Sequence, residues 1–332
     1  MVTECDLRWR ERAVSPGPAA PVLTRLPDMR RVDGEGRGGQ VADDVRSYGD
    51  EVAIVTVTYS PGALLDTFLD SLRGATTRTD VPVVLADNGS VDGAPERAAR
   101  ERDHVTFLPI GENVGYGAAA NRGVASLPDR YGWVVVANPD LEWGAGSLDT
   151  LLDAGRRHPR AGALGPLIRE PSGEVYPSAR EVPSLLAGAG HAALAPVWPA
   201  NPWTAAYRRS REDLTERSAG WLSGSCLLLR RAAFDSVDGF DPRYFMYFED
   251  VDLGERLGLA GWRNVYVPGA DVVHVGGAST GKPGVSARML AEHHRSAYRY
   301  LADRHRGPVH APLRAALRAG LAVRSGLLRR TG

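Results

Sequence analysis

The sequence predicts an α/β fold in which a mostly parallel, doubly wound sheet is flanked by helices. Apolar runs alternate with segments of helical periodicity over about 90 residues, which is the pattern of successive β-α-β units. The first run, residues 52–59, is rich in β-branched residues, as expected of a strand buried on both faces. Polar motifs follow three of the four predicted strands, and ligands of such sheets bind beyond the carboxyl ends of the strands.

The first half of the chain supplies four strands and three helices in alternation. A Ser-Pro-Gly turn at residues 60–62 ends the first strand, and large apolar residues then recur at helical spacing from Leu64 to Leu72. A second helix is predicted over residues 94–102, and a Gly-rich turn leads into a third helix near residue 117. The strands are predicted at residues 52–59, 82–86, 105–108 and 133–137.

The second half of the chain is less regular. Residues 176–217 are rich in Pro, Trp and Arg, so loops and short helices are expected there. The remaining periodic segments predict a strand at 221–229, a helix that runs to residue 259, and two short strands at 265–268 and 272–275. We expect one ordered domain over residues 51–285.

Composition limits the possible classes of function. The chain has 332 residues, 43% of them hydrophobic, so it can bury a full core. Its formal net charge of +0 predicts no nucleic acid as a partner. Cys5 and Cys226 lie far apart, which argues against a disulfide framework or a cysteine metal site. The charged N-terminus lacks the apolar region of a secretory signal, and no window reaches the ~18 apolar residues of a membrane span, so a cytoplasmic location is expected.

Both ends of the chain differ from its centre. Residues 1–50 are rich in Pro, Gly, Arg and Asp and predict a mostly disordered leader. Residues 286–332 predict a basic helical segment, because ten arginines stand against two carboxylates from Arg288 onward. Such a helix can lie peripherally on an anionic membrane, but it can equally pack against its own domain or a partner subunit of a homo-oligomer. The apolar residues on its predicted face are Leu313, Leu317, Leu321, Leu327 and Leu328.

An abrupt change from aromatic to acidic residues is the most informative feature of the chain. The run Tyr244–Phe248 ends in three carboxylates within four residues, Glu249, Asp250 and Asp252. Carboxylates after a buried run are costly unless they bind a cation, pair with a base or take part in proton chemistry. Either Glu249 or Asp250 could remove a proton from an acceptor hydroxyl. The alternative is a helix N-terminus, where the helix dipole favours acidic residues.

Two further motifs follow predicted strands. In Asp87-Asn88-Gly89-Ser90, a carboxylate could accept the imide N–H of a uracil or thymine ring, or the motif could be an ordinary Asn-Gly turn. In residues 113–121, two glycines and several small residues open a helix, whose free N–H groups suit a diphosphate. The alternative reading of that segment is tight packing of the helix on the sheet.

A candidate metal site combines a third strand end with a histidine. Asn138-Pro139-Asp140 places a carboxylate after the fourth strand, and Mg²⁺ or Mn²⁺ is commonly held by one or two carboxylates plus diphosphate oxygens. His274 is a possible further ligand if it reaches the same crevice. The alternatives are a proline turn in which Asp140 caps the next helix, and a structural histidine.

These motifs, taken in order, resemble the inverting GT-A glycosyltransferases of family 2, and among them the bacterial rhamnosyltransferase branch. The resemblance covers roughly residues 52–279 and includes Gly277 and Ser279. It implies a Rossmann-like GT-A domain with a smaller acceptor-side region and C-terminal helices. Asn138 stands where the full Asp-x-Asp motif of the family has its first aspartate, so the metal site has one carboxylate fewer than that motif.

The resemblance also implies a role for each motif. Asp250 would be the catalytic base, with Glu249 beside it, and Asp140 and His274 would bind Mg²⁺ or Mn²⁺. The nucleotide-sugar would contact Thr58, Tyr59, Asp87, Asn88, Ser90, Asn113, Gly115, Tyr116, Asn121 and Asn138.

The resemblance further suggests the substrates. Within the family, the chain is similar to actinobacterial enzymes that add rhamnose from dTDP-β-L-rhamnose to N-acetylglucosaminyl-diphosphate-polyprenol in cell-wall assembly. A transferase for galactofuranose or mannose is an alternative of the same family. A sugar nucleotidyltransferase should carry a Gly-rich loop with Lys or Arg after its first strand, and residues 60–62 offer no such cation. A non-catalytic nucleotide-sugar-binding protein is the third alternative.

Overall fold

The chain folds around a ten-stranded sheet, seen in the computed structural model over residues 48–182, 214–276 and 285–320. The strands are β1 (Glu51–Thr58), β2 (Val83–Asp87), β3 (Val105–Pro109), β4 (Tyr131–Ala137), β5 (Leu141–Trp143), β6 (Ala161–Arg169), β7 (Val175–Tyr176), β8 (Ala179–Arg180), β9 (Arg217–Ala219), β10 (Trp221–Leu222), β11 (Cys226–Arg230) and β12 (Arg263–His274). The helices are α1 (Leu64–Ala75), α2 (Ala94–Glu101), α3 (Tyr116–Ala125), α4 (Ser147–Arg157), α5 (Arg231–Asp235), α6 (Glu249–Leu259) and α7 (Val285–Arg304), and a 3₁₀ turn spans Pro308–His310.

The sheet is parallel in its first half and mixed in its second. Its strand order is β3-β2-β1-β4-β11-β6-β12-β5, with β7 beside β6 and β9 beside β12. Strands β3, β2, β1 and β4 are parallel, whereas β11 is antiparallel to both β4 and β6. Strands β8 and β10 form a separate two-stranded sheet. The predicted α/β class and the predicted β-α-β alternation are therefore confirmed.

Helices cover both faces of the sheet because each one presents an apolar stripe to it. Helices α1, α2 and α4 pack on one face, where α1 buries Leu65, Phe68, Leu69 and Leu72. Helices α3, α5 and α6 pack on the other face. Strand β1 lies between the two layers and is buried at every position after Glu51. Each large apolar side chain buried in this way contributes about 1.5–3 kcal/mol.

Small residues in α3 allow the helix to lie close to the sheet. A Cβ atom added at Gly123 would overlap Val55 and would lie 3.3 Å from the Cβ of Ala86. Tight packing on the sheet, one of the two readings of this segment, is therefore part of its role.

Some predicted elements need correction. The strand expected at 221–229 is two strands, β10 and β11, because residues 223–225 leave the sheet to form a loop. The two strands expected at 265–268 and 272–275 are one strand, β12, whose register shifts between Val267 and Asp271. No element was predicted between residues 141 and 175, where the structure has β5, α4, β6 and β7.

Helix α7 packs against its own domain, beside α6. The hydroxyl of Ser296 donates to the carbonyl of Met246 at 2.8 Å, and the hydroxyl of Tyr300 donates to Glu255 at 2.8 Å. Arg304 also pairs with Glu255. Tyr300 is fully buried. Its ring and that of His293 both lie against Phe248.

Several residues named in the sequence predictions fall outside the described residues. These are residues 1–47 of the leader, Gly277 and Ser279 of the family resemblance, and Leu321, Leu327 and Leu328 of the basic segment. Among the residues that the structure does describe, every helix is too short or too polar to cross a bilayer.

The contact between Tyr300 and Glu255 should stabilise the attachment of α7. Tyr300→Phe removes one hydrogen bond to a charged acceptor, and we expect the free energy of unfolding to fall by about 1–2 kcal/mol. Chemical denaturation of the full chain measures this. The matched change is Tyr298→Phe on the same helix, whose hydroxyl makes no hydrogen bond within the described residues. It should alter stability by less than about 0.5 kcal/mol. Equal effects of the two changes would contradict the assignment.

Candidate active site

The motifs at the strand ends lie along one edge of the sheet. Thr58 and Asp87 are register partners at the carboxyl ends of β1 and β2. On the other side of β1, β4 ends at Ala137, directly before the Asn-Pro-Asp motif. Because parallel strands end at the same edge, the polar residues that follow β1, β2 and β4 converge there, as the sequence predicted.

The loop after β2 is organised by the carboxylate of Asp87. Its Oδ1 accepts hydrogen bonds from the hydroxyls of Thr58, at 2.7 Å, and Ser90. Its Oδ2 accepts the N–H groups of Gly89 and Ser90 at 3.0 and 2.9 Å. Four donors stabilise a charge that is otherwise costly to bury. The turn geometry is thus present, and a contact between Asp87 and a nucleobase stays a prediction.

Tyr59 and Asn88 differ in their exposure. Tyr59, the residue after β1, is 59% exposed, so its ring is open to a planar ligand. Asn88 is buried and binds the next loop: its Nδ2 donates to the carbonyl of Gly115 at 3.2 Å, and its Oδ1 accepts the N–H of Val114 at 3.3 Å. The side chain of Asn113 accepts the N–H of Gly115 at 3.1 Å. The two loops are therefore held together as one surface.

Gly115 is required where this surface meets the aromatic run. Its φ is +91°, and an added Cβ would lie 2.8 Å from the Cα of Phe245 and would also overlap its carbonyl oxygen. That same carbonyl accepts the N–H of Tyr116 at 3.0 Å. Only glycine combines this backbone conformation with such a close approach. The start of α3 is thereby joined to the segment that precedes Asp250.

Asn121 braces the other end of that segment. Its Nδ2 donates to the carbonyl of Phe240 at 2.7 Å, and its Oδ1 accepts the N–H of Phe240 at 2.9 Å. Both polar atoms of the side chain are engaged by the main chain. This bracing role was missed in the sequence, and the expected contact of Asn121 with a nucleotide stays a prediction.

The residues expected to bind a metal lie side by side. The Oδ1 of Asp140 is 3.1 Å from the Nε2 of His274, and the Nδ2 of Asn138 is 3.4 Å from the same nitrogen. Pairing of β5 with β12 sets His274 opposite Leu141, next to Asp140. In the described ranges, no group of three or more His, Cys, Asp or Glu side chains is placed to hold a metal ion. One carboxylate and one imidazole still fit Mg²⁺ or Mn²⁺ if diphosphate oxygens and water complete the coordination.

The acidic pair begins α6 after a strained turn. Tyr247 and Phe248 both have a φ of 66°, which is uncommon for residues other than glycine. Strain of this kind is often found at functional sites. Asp250 then accepts the N–H of Gly224 on Oδ2 at 2.9 Å and the N–H of Val251 on Oδ1 at 2.8 Å. Asp250 is thus oriented by main-chain donors from two different segments.

Glu249 and Asp250 differ in their surroundings. Glu249 is 7% exposed, and its Oε2 has no hydrogen-bond partner among the described residues. Burial, with the adjacent charge of Asp250, raises the pKa of Glu249 to about 8. Burial also raises the pKa of Asp250, but hydrogen bonds from Gly224 and Val251 and the charge of Arg180 oppose that rise. Glu249 is therefore the member of the pair that favours its protonated form, and Asp250, which receives two main-chain N–H groups, is the better candidate for a base.

Asp252, the third carboxylate, is structural. It pairs with Arg256 at 2.6 Å, one helical turn further along α6, and with Arg304 of α7 at 3.7 Å. The spacing of four residues brings Asp252 and Arg256 together on one face of the helix.

Two further features of the site were missed in the sequence. The first is the loop of residues 223–225, whose Ser-Gly-Ser pattern inside an apolar run was the available signal. The second is the hydroxyl of Tyr116, which donates to the carbonyl of Gly224 at 2.6 Å. Burial raises the pKa of Tyr116 well above its usual value, and nearby negative charges, including those of Glu249, Asp250 and Asp140, raise it further. Tyr116 is therefore kept in its neutral form, in which its hydroxyl is a donor.

Comparisons with known proteins agree with this arrangement. The glycosyl transferase family 2 model matches residues 53–238. An N-acetylglucosaminyl-diphospho-decaprenol L-rhamnosyltransferase of Mycobacterium tuberculosis is 57% identical over 291 residues, which cover 85% of this chain and 94% of that protein. Rhamnosyltransferase WbbL of Escherichia coli is 43% identical over 82 residues, 25% of this chain and 30% of that protein.

A solved structure supports the fold alone. The crystal structure of GalNAc-T7 with UDP, GalNAc and Mn²⁺ matches with a TM-score of 0.52 at 15% identity, and the match covers 70% of this chain and 45% of that one. The predicted GT-A architecture is confirmed at this level.

The contact of Gly115 with Phe245 gives a direct test of how the site is held together. Gly111 and Gly115 both have positive φ, but an added Cβ meets nothing within 4 Å at Gly111. Gly111→Ala should cost about 1–2 kcal/mol through backbone strain alone. Gly115→Ala adds overlap with the main chain, and we expect a further loss of about 1–3 kcal/mol. Denaturant unfolding of both variants measures the difference. Equal losses would mean that the contact is not tight.

Proposed function

This chain belongs to glycosyl transferase family 2, and we propose that it transfers L-rhamnose from dTDP-β-L-rhamnose to N-acetylglucosaminyl-diphospho-polyprenol, with inversion at the anomeric carbon. The observation that carries this proposal is the 57% identity to a mycobacterial rhamnosyltransferase, over 94% of the length of that protein. A match that spans both the donor-side motifs and the acidic pair favours the same donor and the same class of acceptor.

The donor nucleoside would lie at the ends of β1 and β2. There the exposed ring of Tyr59 offers a face for the base, and the loop organised by Asp87 and Ser90 offers polar groups at its edge. The N–H groups of α3 that follow the one Tyr116 donates to Phe245 would face the diphosphate, as helix N-termini suit such anions. Asn88 and Asn113 support this proposal because they fix the loop that leads into α3.

Asp140 and His274 would hold Mg²⁺ or Mn²⁺, with Asn138 beside them. When bound, the cation supplies positive charge that offsets the charge developing on the leaving diphosphate.

Asp250 would act as the general base. Its carboxylate would take the proton of an acceptor hydroxyl while the oxygen of that hydroxyl forms a bond to the anomeric carbon of rhamnose. The bond from that carbon to the diphosphate breaks in the same displacement, and dTDP leaves with the electron pair. Attack on the face opposite the leaving group converts the β-linked donor to an α-L-rhamnoside. The raised pKa of Glu249 favours Asp250 for this role, because two adjacent carboxylates resist ionising together.

Contact with a membrane surface would follow from such an acceptor, because a polyprenyl chain resides in the bilayer. The basic C-terminal segment supports this part of the proposal. In its described portion, the side chains of Arg295 and Arg306 are 73% and 62% exposed. Attraction of arginines to anionic lipid is worth about 1 kcal/mol per residue near the surface.

A donor panel tests the proposed function. Purified protein is incubated with a synthetic polyprenyl-diphosphate N-acetylglucosamine and, in separate reactions, radiolabelled dTDP-rhamnose, UDP-galactofuranose and GDP-mannose. We expect transfer from dTDP-rhamnose and an α-linked product by NMR. Transfer only from another donor would overturn the rhamnose assignment, and binding without transfer from any donor would favour a non-catalytic role.

The same assay tests the base. Asp250→Asn should lower the transfer rate by about 10²–10⁴-fold, because the amide cannot accept the proton. Its affinity for dTDP-rhamnose, measured by calorimetry, should stay within about two-fold. The comparison is Asp252→Asn, which breaks the pair with Arg256. It should lower stability by about 3 kcal/mol but not the rate per folded molecule. Near wild-type turnover of Asp250→Asn would remove Asp250 from the role of base.

The cation site is tested by binding rather than by activity. His274→Ala should weaken Mn²⁺ binding in the presence of dTDP by about 10–100-fold, as measured by electron paramagnetic resonance. Glu142→Gln is the control, because Glu142 is an exposed acidic residue on the neighbouring strand β5. It should leave Mn²⁺ affinity unchanged. Unaltered affinity in His274→Ala would show that His274 is a structural histidine.

A further inference from the structure

We propose that Tyr116 is a positioning residue for Asp250 and acts on it through the backbone of Gly224. This inference rests on the proposed role of Asp250 as the base. The hydroxyl of Tyr116 donates to the carbonyl of Gly224 at 2.6 Å, and the N–H of Gly224 donates to the Oδ2 of Asp250 at 2.9 Å. One glycine thus receives a hydrogen bond from α3 and gives one to the acidic pair of α6.

The geometry at Gly224 leaves little room for a side chain. An added Cβ would lie 3.2 Å from the Cβ of Asp250 and 3.5 Å from its Oδ2. The main chain is held on both sides of Gly224, because the N–H of Ser223 donates to the carbonyl of Ser178 at 2.7 Å and the carbonyl of Ser225 accepts the N–H of Asn138 at 2.9 Å. Within the described residues, the bond from Tyr116 is the hydrogen bond that restrains the Gly224 carbonyl itself.

This bridge connects the donor side of the site to the base. Tyr116 directly follows Gly115, whose carbonyl accepts a hydrogen bond from Asn88 in the loop after β2. The connection runs from Asn88 through Gly115 and Tyr116 to Gly224 and then to Asp250. A disturbance of the nucleotide loop would reach the base by this route. Tyr116, expected from the resemblance to contact the nucleotide, is thereby assigned to the acid–base side of the site.

The groups that face Asp250 set the direction of the effect. Glu249 lies beside it on α6, and the positive charge of Arg180 on β8 acts on it as well. A main-chain N–H that donates to a carboxylate favours its charged form. If the carbonyl of Gly224 loses its partner, the loop can shift and this hydrogen bond weakens. The pKa of Asp250 then rises, so a smaller fraction of Asp250 is ionised at a given acidic pH.

Tyr116→Phe removes the hydroxyl and keeps the ring. We expect kcat to fall by about 10–100-fold, because small displacements of a catalytic group carry penalties of that size. The KM for dTDP-rhamnose should stay within about two-fold, and the acid limb of the kcat profile should move to higher pH. The control is Tyr131→Phe, whose hydroxyl accepts a hydrogen bond from Arg130 at the opposite end of β4. It should leave kcat, KM and the pH profile unchanged.

A measurement without substrate separates this proposal from the proposed function. Carboxylate ¹³C NMR of Asp-labelled protein, with the Asp250 signal assigned by its loss in Asp250→Asn, gives the pKa of Asp250 in each variant. It should be higher in Tyr116→Phe than in the wild type, even if the wild type transfers no rhamnose. Gly224→Ala, in which the new Cβ presses on Asp250, should also shift this signal. An unmoved Asp250 titration in Tyr116→Phe would overturn the proposal, and a raised donor KM in that variant would instead assign Tyr116 to the nucleotide.

Discussion

The placement of two adjacent carboxylates at the start of α6 is the constraint on which the rest of the site depends. Glu249 is buried and Asp250 is partly buried, and two neighbouring negative charges are expensive there. The structure meets this cost in two ways. Burial favours the protonated form of Glu249, and Asp250 receives two main-chain N–H groups, one from the loop at Gly224. The loop that interrupts the strand expected at 221–229 is thus explained by what Asp250 requires.

The position of this acidic pair is set by parts of the chain that are far apart in sequence. On one side, Gly115 lets the start of α3 touch the main chain of Phe245, and Asn121 binds Phe240. On the other side, α7 packs against the strained turn, where the rings of His293 and Tyr300 lie against Phe248. Two successive residues with positive φ cost about 1–3 kcal/mol each, so they persist only where neighbouring contacts determine them. Helix α7 therefore supports the base as well as closing the fold.

Sequence patterns predicted the half of the fold in which local signals and tertiary packing agree. The alternation of β1 to β4 with α1 to α3 could be read from periodicity, because both faces of a parallel sheet are covered by amphipathic helices. Periodicity failed to predict the loop of residues 223–225, whose main chain binds a distant side chain. Residues 223–225 look like part of an apolar strand, and the reason for the break lies on α6, 26 positions away from Gly224 at Asp250. No periodicity encodes such a hydrogen bond.

In the candidate site too, features of the local sequence could be predicted, whereas contacts between distant residues could not. Residue type and position relative to the predicted elements selected Asp87, Asp140, Asp250 and His274 as candidates, because catalysis and cation binding use few kinds of side chain, and the structure places Asp140 beside His274. The direction in which each side chain points could not be predicted from residue type and position. Asn121 and Tyr116 both lie on α3 beside the glycine turn, and both direct their polar atoms at main-chain carbonyls of later segments. A polar residue next to a candidate ligand-binding loop can therefore bind the main chain of neighbouring segments rather than the ligand. The hydroxyl of Tyr116, bound to the glycine whose N–H donates to Asp250, is the instance in which that distinction bears on the chemistry.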